Sequence, residues 1–209
     1  MIRMLAAALV VFSLGAFALA GQFNEVLSIG DKGPAWAELP GTDGKNHSLA
    51  ELADKPVVVV VFTCASCPTA ADYEERINAL AKTHAGDKSQ VAVVAICVNQ
   101  VKEDRLPALT ERAKEKGFAF TYLYDESQKI AKDYGAVFTP EFYVLDRDRK
   151  VVYMGAMDDA TDAAKVTRRY VDEAIVAALA GNKPEVGEVI ARGCRVRYAR
   201  ERRAGAGGQ

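Results

Sequence analysis

Hydrophobic positions along this chain follow two rhythms. Residues 57–62 read Val-Val-Val-Val-Val-Phe and residues 91–98 read Val-Ala-Val-Val-Ala-Ile-Cys-Val. Runs this short, apolar and β-branched predict strands covered on both faces of a sheet. Between them, Ala70, Tyr73, Ile77 and Leu80 recur at helical spacing, and Pro68 suits a first helical turn, where its missing N–H had no partner to lose. Asp104 to Lys116 reads as a helix ended by Gly117, residues 118–124 as an extended segment, and Glu126 to Tyr134 as a short helix stopped at Gly135. Glu141 to Leu145 and Lys150 to Met154 read as strands joined by the polar turn 146–149. Thr161 to Leu179 then predicts one long amphipathic helix, with Val166, Tyr170, Val171, Ala174 and Ile175 inward. Earlier, Pro40-Gly41 and Asp43-Gly44 predict a small hairpin anchored by Trp36, followed by a short helix capped by Ser48.

Alternating strands and helices followed by a hairpin and a last helix predict an α/β fold. The central sheet is mixed, parallel in its core and antiparallel at the hairpin, with helices on both faces in an α/β/α sandwich. One domain, residues 21–187, accounts for this pattern, and the length asks for no second. Residues 188–209, rich in arginine and then glycine, are expected to be a disordered basic tail.

Residues 1–20 are set apart. Arg3 precedes an uncharged apolar run from Leu5 to Leu19, and Ala18-Leu19-Ala20 forms a small-x-small cleavage site. This is the pattern of a signal peptide, and it predicts export to the periplasm or another extracytoplasmic space, with no stable membrane insertion once the segment is removed. An uncleaved anchor is the alternative. The run is short for a full span, which takes about 20 apolar residues.

Composition narrows the chemistry. The formal net charge is −1 over 209 residues, and the aromatics are few and scattered. Neither points to nucleic acid or to a membrane surface. Four cysteines, at 64, 67, 97 and 194, fall in the exported part, where disulfides are permitted. Cys97 lies inside a buried strand and reads as a small hydrophobe. Cys64 and Cys67 stand at the junction of a buried strand and a helix N-terminus. Such a terminus stabilises a thiolate and lowers a cysteine pKa, and Cys-x-x-Cys spacing lets two sulfurs exchange within one turn. Zinc lacks a ligand set, because His47 and His84 are single and far apart and no second pair exists. Copper(I) remains a lesser alternative. Cys194 follows Gly193 in the tail; an unpaired thiol is unusual in an exported protein, so this additional thiol reads as a second resolving cysteine, a partner for another chain, or a free thiol.

The strand, the pair Cys64-Ala65-Ser66-Cys67, Pro68 and the helix together resemble the thioredoxin superfamily. So does Thr139-Pro140 before the hairpin. Within it the chain is similar to exported redoxins and peroxiredoxin-like proteins of the AhpC/TSA type. The similarity is carried by Gly33-Pro34-Ala35-Trp36, Asp43-Gly44-Lys45, Tyr134-Gly135-Ala136-Val137-Phe138-Thr139-Pro140, the hairpin 146–150 and Gly193-Cys194. The resemblance implies a thioredoxin-like fold and a cis bond before Pro140. It also implies a Cys64–Cys67 redox disulfide, with Cys64 as nucleophile and Cys67 as resolving thiol, and a backbone clamp for substrate at Thr139 and Pro140. A protein disulfide would then be the substrate, another redoxin or a membrane protein the electron donor, and no cofactor would be needed.

Two departures matter. Thioredoxins carry an acidic proton acceptor where this chain has Val58, and a tryptophan where it has Thr63; Glu38 and Glu141 are the replacements the sequence offers. Peroxiredoxins read Thr-x-x-Cys-Pro-Thr; here Cys67-Pro68-Thr69 matches but Cys64 replaces the threonine. A thiol peroxidase attacking through Cys67 is therefore the alternative reading.

Overall fold

The computed structural model describes residues 21–86 and 88–200; the expected signal segment, residues 1–20, and residues 201–209 lie outside them. In chain order the elements are β1 (Leu39–Pro40), β2 (Asn46–His47), β3 (Val57–Phe62), α1 (Pro68–Thr83), β4 (Val91–Cys97), α2 (Leu106–Lys116), β5 (Thr121–Tyr124), α3 (Lys129–Tyr134), β6 (Phe138–Thr139), β7 (Glu141–Leu145), β8 (Val151–Gly155), α4 (Tyr170–Leu179), β9 (Glu188–Val189) and β10 (Cys194–Arg195). Short 3₁₀ turns lie at Leu49–Leu52, Lys102–Asp104 and Ala163–Lys165.

The valine run makes the centre. β3 pairs parallel with β4 and antiparallel with β7, and the main sheet runs β5-β4-β3-β7-β8-β9. Because strand side chains alternate, Val57, Val59 and Val61 join a cluster with Tyr73 and Ile77 of α1 and Val171, Ala174 and Ile175 of α4. Val58, Val60 and Phe62 join the opposite cluster, with Trp36 and with Ile130, Ala131 and Tyr134 of α3. This is the thioredoxin-like layering expected from the sequence. Each buried valine contributes about 1.5–3 kcal/mol of apolar burial. Val58 is wholly enclosed, so β3 offers the cysteines no carboxylate.

Three segments differ from expectation. The long helix over 161–179 is divided: a 3₁₀ turn covers Ala163–Lys165 and α4 begins at Tyr170. Asp159 is responsible, since its carboxylate takes the Thr167 N–H at 2.9 Å and the Thr167 hydroxyl, and its own N–H donates to Arg168 O. Those bonds keep 167–169 out of the helix. Asp104 stands ahead of α2, in a 3₁₀ turn, with its side chain fully buried. Residues 188–200, expected to be disordered, are ordered and form β9 and β10. Backbone bonds explain this. β9 runs parallel to β8, β10 runs antiparallel to β6, and Arg197 and Ala199 are tied to the side chains of Asn99 and Gln128.

Candidate active site

Cys64 follows β3, and Cys67 is the N-cap of α1. Both are almost wholly buried, at 3% and 2% exposure. All four cysteines are free thiols. Pro68 occupies the first helical position, and Ala70 N–H of the first turn donates to Cys67 Sγ at 3.3 Å. The Thr139-Pro140 peptide bond is cis, and register brings it to the pair, because Glu141 faces Phe62 across the β3–β7 ladder. Cys67 Sγ lies 3.2 Å from Thr139 O, and Cys64 Sγ lies 3.5 Å from Thr139 Oγ1. Thr139 therefore touches both thiols.

The surroundings treat the two thiols differently. Cys64 is ringed by acceptors. Ser66 Oγ, 3.9 Å away, gives its own proton to Asp104 Oδ2 at 2.6 Å, and Thr139 Oγ1 gives its proton to Cys194 O at 3.3 Å. Both hydroxyls are left to accept the Cys64 S–H. Burial, reinforced by the Asp104 charge, pushes Cys64 up to about 11. Burial raises Cys67 too. There the side chain and N–H of Cys194 and the N–H of Ala70 oppose it, and the net result lies below the ordinary thiol value. The Thr139 carbonyl, which can only accept, works against ionisation without reversing that direction. The thiol held below its ordinary value is thus Cys67, whereas the resemblance implies Cys64 as the nucleophile.

The sequence pattern places Asp104 at the start of a helix and gives it no part in the site. It takes Ser66 N–H at 2.8 Å, Ser66 O–H at 2.6 Å and Asn99 Nδ2 at 3.0 Å, and so fixes the turn between the cysteines. Its signal in the sequence is faint: an acidic residue shortly after a buried strand. Glu38 is exposed and bonded to Ser48. Glu141 is buried, its carboxylate accepting the N–H groups of Val137 and Phe138 and the Tyr143 hydroxyl. It shapes the loop before Pro140. Burial holds its carboxyl above the ordinary value.

The backbone at Thr139, which the resemblance implies as a clamp for substrate together with Pro140, is already paired. β10 lies along β6 with Cys194 opposite Thr139 and Arg195 opposite Phe138. Cys97 is fully buried, its S–H directed at Asp104 O at 3.4 Å. His47 bridges Asp43 and Glu51 on the surface. Among the described residues no group of three or more His, Cys, Asp or Glu is placed to hold a metal ion, and no helix is long and apolar enough to cross a membrane.

A hypothetical protein of Sinorhizobium meliloti 1021 superposes with a TM-score of 0.77 at 32% identity, over 84% of this chain and 97% of that one. A solution structure from Neisseria meningitidis, described as a candidate thioredoxin, shares the fold with a TM-score of 0.56 at 22% identity, over 72% of this chain and 92% of its own. A candidate peroxiredoxin of Mycobacterium tuberculosis H37Rv is 26% identical over 142 residues, covering 60% of this chain and 83% of that protein. The Redoxin family model matches residues 28–174, a span that includes the cysteine pair, the cis-proline and the hairpin. The chain belongs to the Redoxin family, within the thioredoxin superfamily.

Proposed function

We propose that this protein is an exported thiol–disulfide oxidoreductase in which Cys67 makes the attack and Cys64 resolves. The carrying observation is the contrast between the two thiols: Cys67 receives the helix N–H and the Cys194 groups, whereas burial and the Asp104 charge keep the proton on Cys64. The Cys67 thiolate attacks one sulfur of a substrate disulfide, forming a mixed disulfide and releasing a thiolate that takes a proton. Cys64 then gives up its proton and attacks Cys67 Sγ; the mixed bond breaks and the second substrate thiol leaves. Substrate gains two electrons and the protein is left with a Cys64–Cys67 disulfide. Another redoxin or a membrane donor returns the electrons, and no cofactor takes part. Export rests on residues 1–20.

Peroxide reduction by the same Cys67 is the second reading. It is favoured by Cys67-Pro68-Thr69, by the likeness to a candidate peroxiredoxin, and by the self-paired backbone at Thr139, which is not free to pair with an extended peptide while β10 is docked. The test compares reduced wild type, Cys64→Ser and Cys67→Ser with a protein disulfide and with hydrogen peroxide. Cys67→Ser is expected to abolish disulfide turnover, and Cys64→Ser to stall it as a mixed disulfide. Turnover of peroxide alone would move the assignment to the second reading, and full activity of Cys67→Ser would refute both.

A further inference from the structure

The edge that meets an incoming chain in this superfamily is occupied by the protein's own C-terminal segment. β10 pairs antiparallel with β6, and Val196 N–H donates to Val137 O at 2.9 Å. The fit is close enough to need a glycine: a Cβ at Gly193 would stand 2.0 Å from Thr139 O. Beyond the strand, Gln128 Nε2 donates to Arg197 O at 2.9 Å, and Tyr198 O–H to Ala136 O at 2.7 Å. This docking delivers a third sulfur. Cys194 stands opposite Thr139 in the β10–β6 pair, its carbonyl taking the Thr139 hydroxyl at 3.3 Å, while Thr139 O lies 3.2 Å from Cys67 Sγ; it packs against the cluster that contains Cys64 and Cys67. Unlike those two it is partly open to solvent.

We propose that β10 is a built-in substrate strand and that Cys194 is a third redox-active thiol, forming a Cys67–Cys194 disulfide in competition with Cys64–Cys67. The proposal rests on the reading in which Cys67 attacks. Once Cys67 carries a mixed disulfide with a substrate thiol, Cys194 loses its proton and its sulfur attacks Cys67 Sγ. The bond from Cys67 to the substrate sulfur breaks, and the departing thiolate takes up the proton. From a Cys64–Cys67 disulfide the same attack forms Cys67–Cys194 and returns Cys64 to the thiol, with no net oxidation. The chain thus holds two alternative disulfides that share one sulfur. Which one forms is set by whether β10 is docked.

The experiment uses the full reduced chain, oxidised glutathione as probe, and peptide mass mapping of every cysteine. Cys64→Ala is expected to end with a Cys67–Cys194 disulfide and to retain about tenfold less protein-bound glutathione than Cys64→Ala/Cys194→Ala, which has no thiol left to displace it. Gly193→Ala in the Cys64→Ala background should lift β10 away from Thr139 and restore the glutathione adduct on Cys67, although all the thiols of that background remain. An adduct that persists on Cys67 in Cys64→Ala alone would overturn the role of Cys194 and leave the attack by Cys67 intact. If Cys64→Ala does not react with the probe at Cys67 at all, the parent reading fails and this inference with it.

Discussion

Replacing Asp104 tests whether a residue that touches neither sulfur sets their chemistry. Its buried carboxylate accepts three hydrogen bonds, from Ser66 N, Ser66 Oγ and Asn99 Nδ2. Bonds to a charged acceptor contribute about 1.5–3 kcal/mol each, and an orphaned buried donor costs about 1–3. Two offsets apply to Asp104→Ala: the carboxylate no longer has to be desolvated, and Ser66 is open enough for water to reach its donors. The expected net loss is about 3 kcal/mol. With a urea m-value of about 2 kcal/mol/M, that moves the unfolding midpoint of the reduced protein down by about 1.5 M. Asp104→Asn keeps the shape but turns one acceptor into a donor facing a donor, for a loss of about 1.5–3 kcal/mol.

The same substitution has an opposite effect on reactivity. Asp104 is one of the charges that hold Cys64 up at about 11, so removing it must lower that value. The assay is the pH profile of iodoacetamide alkylation at Cys64, followed by peptide mapping in a Cys67→Ala/Cys194→Ala background. Asp104→Asn is expected to shift the profile to lower pH while the protein becomes less stable. A general loosening of the turn would also speed alkylation, but at every pH alike. A folded Asp104→Asn protein whose profile keeps its midpoint refutes the electrostatic role, and an Asp104→Ala midpoint within about 0.3 M of wild type refutes the structural one.

Further outcomes follow from the same geometry. Cys194→Ala removes the side-chain donor that holds Cys67 down, so Cys67 alkylation in the reduced protein should move to higher pH; an unchanged midpoint would mean that the Cys194 thiol has no part in setting Cys67. For Cys64 the sign is reversed. Its folded value is raised from 9.0 to about 11, so the stability owed to the neutral thiol is present below pH 9 and is lost as pH rises to about 11, a loss of about 3 kcal/mol. Urea unfolding of reduced Cys64→Ala across that window should fall less steeply than wild type, and parallel curves would contradict the assignment. Asp158→Ala strands Arg76, whose guanidinium is 11% exposed and ion-paired to Asp158; a loss of about 3–5 kcal/mol is expected by chemical denaturation, and less than 1 would show that the carbonyls of Ala160 and Thr161 suffice. Gly155→Ala places a Cβ 1.7 Å from Val189 O at a φ of +128°, so it should release β9 from β8, seen as faster amide exchange at 187–189.

The sheet was legible in the sequence because its strands declare themselves locally. Val57–Phe62 is apolar at every position, short and β-branched, which together mark a strand with both faces covered. Gly117 and Gly135 end their helices in left-handed conformations, at φ of +60° and +67°, which is where glycine is cheap. The long helix over 161–179 failed for a local reason that periodicity cannot register: one aspartate, Asp159, offered Thr167 better hydrogen bonds than a helical turn would. The tail failed for a different one. Residues 188–200 carry no periodic pattern of their own, because each is ordered by something distant. β9 is fixed by the edge of β8, β10 by β6, and residues 197–199 by Asn99 and Gln128.

The site divides along the same line. Cys64, Cys67, Thr139 and Pro140 could be singled out because a strand end, a helix start and an X-Pro step are visible at their own positions. Their roles could not, because acidity is decided by which neighbours donate and which accept. Cys67 is lowered by groups 127 residues away in the chain, at Cys194, and Cys64 is raised partly by a carboxylate from the turn after β4. Gly193 shows the point most sharply. In the sequence it is a glycine in an arginine-rich tail, the composition of a disordered end. In the fold it is the position where any side chain would strike Thr139 O, the atom that also faces Cys67 Sγ. A residue without a side chain thus determines whether the third sulfur reaches the first two.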